Sequence, residues 1–151
     1  MRPALPGVPL PDLLAGLMEA LRFFAYPDAV PALSALREAG IRTVVVSNWD
    51  ASLHERLSET GLAVLVDGAL ASAEVGAAKP DGAIFAAALE LAGTAPHEAW
   101  HVGDSVEADV EGARAAGLTA VLIDRAGDHE GPDDVAVIAS LAELLPLVAS
   151  R

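Results

Sequence analysis

Cysteine is absent from this 151-residue chain. Disulfide frameworks, thiol nucleophiles and thiolate metal sites are thereby excluded, and a reducing cytoplasmic location is the expectation. Aromatic residues make up only 4% of the sequence, so packing falls to Ala, Val and Leu. Cationic residues are also scarce, with 9 Lys and Arg against 22 Asp and Glu, giving a formal charge of −13. Such a surface repels phosphate backbones and argues against nucleic-acid partners. It serves solubility, or concentrates divalent cations. Uninterrupted apolar runs of about 18 residues are missing, as is a charged N-terminal region leading into an apolar one, so neither a membrane span nor a signal peptide is expected.

What remains is an ordinary globular composition, 53% apolar and 21% charged, long enough for one core. The opening residues carry Pro3, Pro6, Pro9 and Pro11 and cannot form an interior strand. A helix is expected from Asp12 to Phe24, with Leu13, Leu14, Leu17, Met18 and Leu21 on one face. Asp28 is placed to cap a second helix that stops at Gly40. From there strands and helices alternate. Thr43 to Ser47 is a β-branched run of the kind buried on both faces of a parallel sheet. Asp50 caps a helix ending at Thr60 and Gly61, and Leu62 to Val66 reads as the next strand. Asp81 opens a helix closed near Gly93. Trp100 to Val102 is a short strand, and Ser105 or Val106 starts a helix ending at Gly117. Leu118 to Ile123 is the last clear strand, a polar loop covers 124–134, and Ser140 caps a final helix that Pro146 kinks or ends. About four strands separated by helices predict a doubly wound α/β fold with a parallel sheet. The expected division is an arm and helix over residues 1–27 and a core over 28–151.

Ligands of such sheets bind beyond the carboxyl ends of the strands. Ser47 and Asn48 follow VVV directly, where a hydroxyl and backbone N–H groups can hold an anion or simply shape the turn. Lys79, Pro80 and Asp81 precede a helix. The lysine is a point charge suited to phosphate, set inside a long apolar stretch. Gly103 lets the backbone turn after the third strand, so that Asp104 projects there as a hard oxygen ligand or a helix cap. Asp109 lies in the first turns of the following helix. The histidines have no mutual metal spacing; His101 reads as a packing residue and His54 as exposed. Trp49 either lines a pocket or packs.

In this order, VVVSNWD, AAKPDGAIF and HVGDSVEADVEGARAAG resemble motifs two, three and four of the haloacid dehalogenase superfamily, phosphatase type. The likeness runs from about Pro27 to Arg125, with PDAVPALSALREAG resembling the helix before motif two. It implies that Ser47 hydrogen-bonds a transferring phosphoryl group, that Asn48 contributes its backbone N–H, and that Lys79 neutralises the charge. It further implies that Asp104 ligates Mg²⁺, directly or through water, and that Asp109 orients Lys79 or supports the metal. A small phosphorylated molecule is the implied ligand.

Motif one of that family, Asp-x-Asp-Gly-Thr, supplies the nucleophile that forms an aspartyl-phosphate. Nothing before Thr43 matches it. Leu65–Val66–Asp67–Gly68–Ala69 imitates it with Leu65 in the nucleophile's place, and Asp50 and Asp124 are poor substitutes. The expectation is a phosphate- and Mg²⁺-binding core with little or no turnover alone, or a non-catalytic interaction or regulatory protein on the same fold. In the family the motif-one strand lies between those carrying Ser47 and Asp104. These two are therefore expected to pair directly, or to have the gap filled by a second copy or another chain. The helix from Asp12 resembles the end of a cap domain, as if the chain starts where a longer ancestor's cap ended. A receiver domain, the rival with a similar sheet, needs an acidic pair after its first strand, which is absent here.

Overall fold

The computed structural model describes residues 9–12, 14, 16, 22–128 and 131–150. The expected helix from Asp12 to Phe24 lies largely outside them; of its described residues, 12, 14 and 16 are helical and 22–24 are not. Pro27 disfavours helical backbone at Tyr26, and residues 22–26 form no helix or strand.

Helix α1, Ala29–Glu38, buries Ala29, Ala32 and Leu36 and ends at Gly40, whose φ of 75° needs glycine. Asp28 does not cap it, contrary to the sequence reading. Its Oδ2 instead accepts from Arg125 Nη1 at 2.9 Å, Ser140 Oγ at 2.8 Å and Leu141 N at 2.8 Å. The carboxylate thus pins the C-terminal segment to the start of α1, and Arg125 also stacks 3.9 Å over the ring of Tyr26.

Strands β1, Val44–Ser47, and β2, Gly68–Ala71, pair in parallel, joined through α2, Leu53–Glu59. The expected strand over Leu62 to Val66 is not formed; the chain there turns, leaving Val64 exposed. The reason lies at the neighbouring pair Thr43 and Asp67. Asp67 N donates to Thr43 O at 2.7 Å and Thr43 N to Asp67 Oδ2 at 2.8 Å. These two bonds fix the register so that pairing begins only at Val44 opposite Gly68. Leu91 then packs where a Cβ on Gly68 would stand, 2.7 Å from its Cδ2.

The short α3, Ser72–Val75, and α4, Gly82–Ala92, follow. Asp81 caps α4 as expected, accepting from Ala83 N at 2.9 Å. A second parallel sheet holds β3, Trp100–Gly103, β4, Thr119–Ile123, and β5, Ala136–Ile138, in that order. β5 goes beyond the sequence expectation, since it directly follows a polar loop. Between β3 and β4 the chain forms a π-helical turn, Val106–Glu111, running into α5, Gly112–Ala115. The last helix, α6, Leu144–Ala149, continues past Pro146, which sits in its first turn where a missing N–H costs nothing.

Alternation along β4 shows why the sheet is doubly wound. Ala120 and Leu122 pack with Ile84 and Phe85 of α4, Val110 and Ala113. Val121 faces the other way, onto Leu36 of α1, Ile138 and Leu144 of α6. β1 and β3 belong to different sheets and do not pair, so direct pairing across the gap is ruled out among the described residues. No helix among them is long and apolar enough to cross a membrane.

Asp28 gives a stability prediction. Its bond from Arg125 outweighs the cost of desolvation, and with Leu141 N and Ser140 it holds the carboxyl well below the usual range. The unfolded chain therefore takes up this proton first, near pH 4, and the stabilisation present at neutral pH is lost as pH falls below that value. Asp28→Asn should lose about 1–2 kcal/mol at pH 7 and show a shallower acid limb. Urea midpoints at pH 7 and pH 3.5 check both.

Candidate active site

Ser47 closes β1 at its carboxyl end, half-buried, and its hydroxyl makes no hydrogen bond among the described residues. Asn48 turns its side chain to the backbone of Lys79. Its Nδ2 donates to Lys79 O at 3.0 Å and its Oδ1 accepts from Lys79 N at 2.7 Å. From sequence, Asn48 was expected to offer only a backbone N–H; here its side-chain amide clamps the segment that carries the lysine. Trp49 is fixed next to it, its N–H donating to Ser72 Oγ while that hydroxyl donates back to Trp49 O, both at 3.1 Å. The indole packs edge-on to Phe23, 5.6 Å between centroids.

Lys79 is only 12% exposed at its side chain, and the peptide to Pro80 is cis. Its ammonium donates to Val46 O at 3.1 Å and to Asp109 Oδ1 at 2.6 Å. The first contact sets the cation beside the end of β1, one residue from Ser47. The second ties it to the turn after β3. Asp109 is 3% exposed. Burial opposes its ionisation, yet bonds from His101, Lys79 and Ser105 N outweigh that and hold the carboxyl well below its usual range.

Local sequence explains how Asp109 reaches this place. Ser105 caps the turn through Ala108 N at 3.1 Å, and both Asp109 N and Val110 N donate to Ser105 O, at 2.9 and 3.2 Å. The second of these is the i to i+5 bond of a π turn, a widening often found at functional sites. It swings Asp109 back over β3. Gly103 makes the space: a Cβ there would stand 2.1 Å from Asp109 Cγ. Gly112 likewise opens room further along the chain, where a Cβ would lie 2.9 Å from Phe85 Cε2 and 3.0 Å from Pro80 Cα.

Asp104 projects exposed beyond β3, and its carboxylate has no hydrogen bond or ion pair among the described residues. His101, read from sequence as a packing residue, does pack, edge-on to Phe85 at 5.1 Å. It also bonds Asp109 Oδ1 through Nε2 at 2.8 Å. The sequence held a signal for this, because positions 101 and 103 of a strand share one face. Asp50 accepts from Ser52 N at 2.8 Å and serves the start of α2. Glu74 holds His54 at 2.9 Å on the exposed surface.

A family model for haloacid dehalogenase-like hydrolases matches residues 7–117. The chain belongs to that family. It is 40% identical over 116 residues to a phosphoserine phosphatase of Thermus thermophilus, covering 76% of this chain and 47% of the relative. It is 36% identical over 155 residues to human haloacid dehalogenase-like hydrolase domain-containing protein 3, covering 94% and 62%. Among solved structures, a haloacid dehalogenase-family phosphatase from Thermococcus onnurineus superposes with a TM-score of 0.80 at 34% identity, over 93% of this chain and 64% of that one. The chain spans about half the length of most curated relatives it matches.

Phosphatases of this family generally use Mg²⁺, and the residues present can be tested against it. Asp109 is committed to Lys79, His101 and Ser105 N. No cluster of three or more His, Asp or Glu suited to a metal occurs among the described residues. Of the two aspartates that follow β3, Asp104 is the one whose carboxylate has no partner among the described residues. That suits Mg²⁺, which takes one or two carboxylates and completes its shell with phosphate oxygens and water.

Proposed function

We propose that this chain forms the phosphate- and Mg²⁺-binding region of a phosphomonoester hydrolase site acting on small phosphorylated molecules. The observation that carries the reading is the Lys79 ammonium, held between Val46 O and Asp109 beside a Ser47 hydroxyl that has no hydrogen bond among the described residues. In this reading Ser47 Oγ donates to a phosphoryl oxygen, Lys79 neutralises charge, and Asp109 orients Lys79. Asn48 keeps the Lys79 segment in place, and Asp104 would hold Mg²⁺. The metal, when bound, would neutralise phosphoryl charge. Relatives named for phosphoserine and glyceraldehyde 3-phosphate support a small, anionic substrate, and a cysteine-free chain suits the cytoplasm.

No Asp-x-Asp-Gly-Thr occurs in the sequence. We assign the nucleophile to a strand seated between β1 and β3, each of which has one edge unpaired among the described residues. A longer form of the polypeptide, a second copy or another chain could supply it. We take residues 28–151 as the core; the proline-rich arm and cap-remnant helix expected over 1–27 lie largely outside the described residues. A positioned cation and donors bind phosphate without a nucleophile, whereas loss of the nucleophile removes several powers of ten in rate.

With Mg²⁺ and a generic phosphate monoester, the purified chain should therefore turn over near background. Inorganic phosphate with Mg²⁺ should raise its melting temperature. Robust turnover that Asp104→Ala abolishes would mean a nucleophile is already present. No melting shift would favour a non-catalytic interaction protein on this fold.

A further inference from the structure

Two donors compete for one oxygen in this site. Asp109 Oδ1 receives Lys79 Nζ at 2.6 Å and His101 Nε2 at 2.8 Å, while Oδ2 receives Ser105 N at 3.0 Å. Because the carboxylate can only accept, His101 Nε2 carries a proton. The imidazole has little freedom to leave. It shares its strand face with Gly103, under Asp109, and stands edge-on to Phe85, which is 1% exposed.

An ammonium has three protons. Lys79 commits one to Asp109 Oδ1 and one to Val46 O, so one remains uncommitted. Its direction follows from where Oδ1 stands. A carboxylate anchored only at Oδ2 by Ser105 N could swing Oδ1 about that bond and carry the flexible lysine with it. A second donor on Oδ1, rooted in β3, stops that rotation.

We propose that His101 is a positioning residue for the anion site: by holding Asp109 Oδ1 it fixes the direction of the remaining N–H of Lys79. This rests on the phosphate-binding reading above. It makes a chemically selective prediction, because the bond runs through Nε2. Glutamine places an amide N–H at the same distance along the side chain, whereas asparagine reaches only the Nδ1 position.

Lys79 is the sole lysine in the sequence. Chain labelled with [¹⁵N]lysine therefore gives one side-chain ammonium resonance, which reports on the site directly. Inorganic phosphate is titrated into the parent and into His101→Gln, His101→Asn and His101→Leu, with affinity measured by calorimetry and melting temperature recorded alongside. In the parent the Lys79 resonance should move with phosphate. If it does not, the phosphate-binding reading fails, and this inference falls with it. Given that movement, His101→Gln should bind within about twofold of the parent. His101→Asn and His101→Leu should bind about tenfold more weakly, with the Lys79 resonance displaced even in phosphate-free protein. Should His101→Leu fail to fold, the comparison of Asn with Gln decides. Parent-like affinity in His101→Asn or His101→Leu would overturn the role, as would a His101→Gln variant as weak as the asparagine one. A purely structural histidine would change melting without separating Gln from Asn in affinity.

Discussion

Asp109→Ala should lose about 3–5 kcal/mol of stability, the cost of stranding a buried charged partner. For a domain of this size that corresponds to a fall in melting temperature of roughly 10 °C. The magnitude follows from what the carboxylate holds. Lys79 and His101 are each only 12% exposed, and both point at Oδ1. Without it the ammonium keeps a single acceptor, Val46 O, and Ser105 N loses its partner. Asp109→Asn should recover only a fraction of the loss. Its single carbonyl can face Ser105 N or the Lys79–His101 pair, leaving its NH₂ against donors at the other. Phosphate at high concentration should widen the gap between Asp109→Ala and parent, since the variant, with Lys79 no longer positioned, binds the anion more weakly and gains less from it. Thermal melts with and without phosphate measure all three effects.

Gly103→Ala should cost about 3 kcal/mol or more, and should lower phosphate affinity although residue 103 touches no ligand. The added methyl would stand 2.1 Å from Asp109 Cγ and 2.4 Å from both its Cβ and Oδ2. Asp109 cannot retreat without breaking bonds to three donors. The substitution therefore acts through Asp109, and the two changes are coupled. In urea melts, the cost of Gly103→Ala in an Asp109→Ala background should be smaller than in the parent. Equal costs in both backgrounds would mean that residue 103 strains β3 itself.

How far the sequence reveals the site depends on the distance over which each contact acts. Ser47, Lys79 and Asp104 are legible because each follows or precedes a recognisable strand end or helix start in a fixed order. The Lys79–Asp109 pair follows from resemblance and is present at 2.6 Å. Asn48 is only half legible. Its side-chain partner is the Lys79 backbone, 31 residues on, and no local pattern shows that. Asp28 misleads for the same reason. It has the residue type and position of a cap, yet its partners lie 97 to 113 residues away. Leu62 to Val66 has strand-like composition, but the Thr43–Asp67 bonds set a register that leaves it out, so pairing uses the less strand-like Gly68–Ala71. His101 taken singly is a packing residue, whereas its spacing from Gly103 places it under whatever crosses that glycine. The fold class needs only the alternation of apolar strands and capped helices.

A crystal structure of the chain grown with Mg²⁺ and tungstate tests the shared anion site most directly, because tungsten is located by its own anomalous signal. The expected result is one tungstate within hydrogen-bond reach of Ser47 Oγ and Lys79 Nζ, with a cation on Asp104. Tungstate bound elsewhere, with Lys79 still closed onto Asp109 and Val46 and nothing beside Ser47, would contradict it.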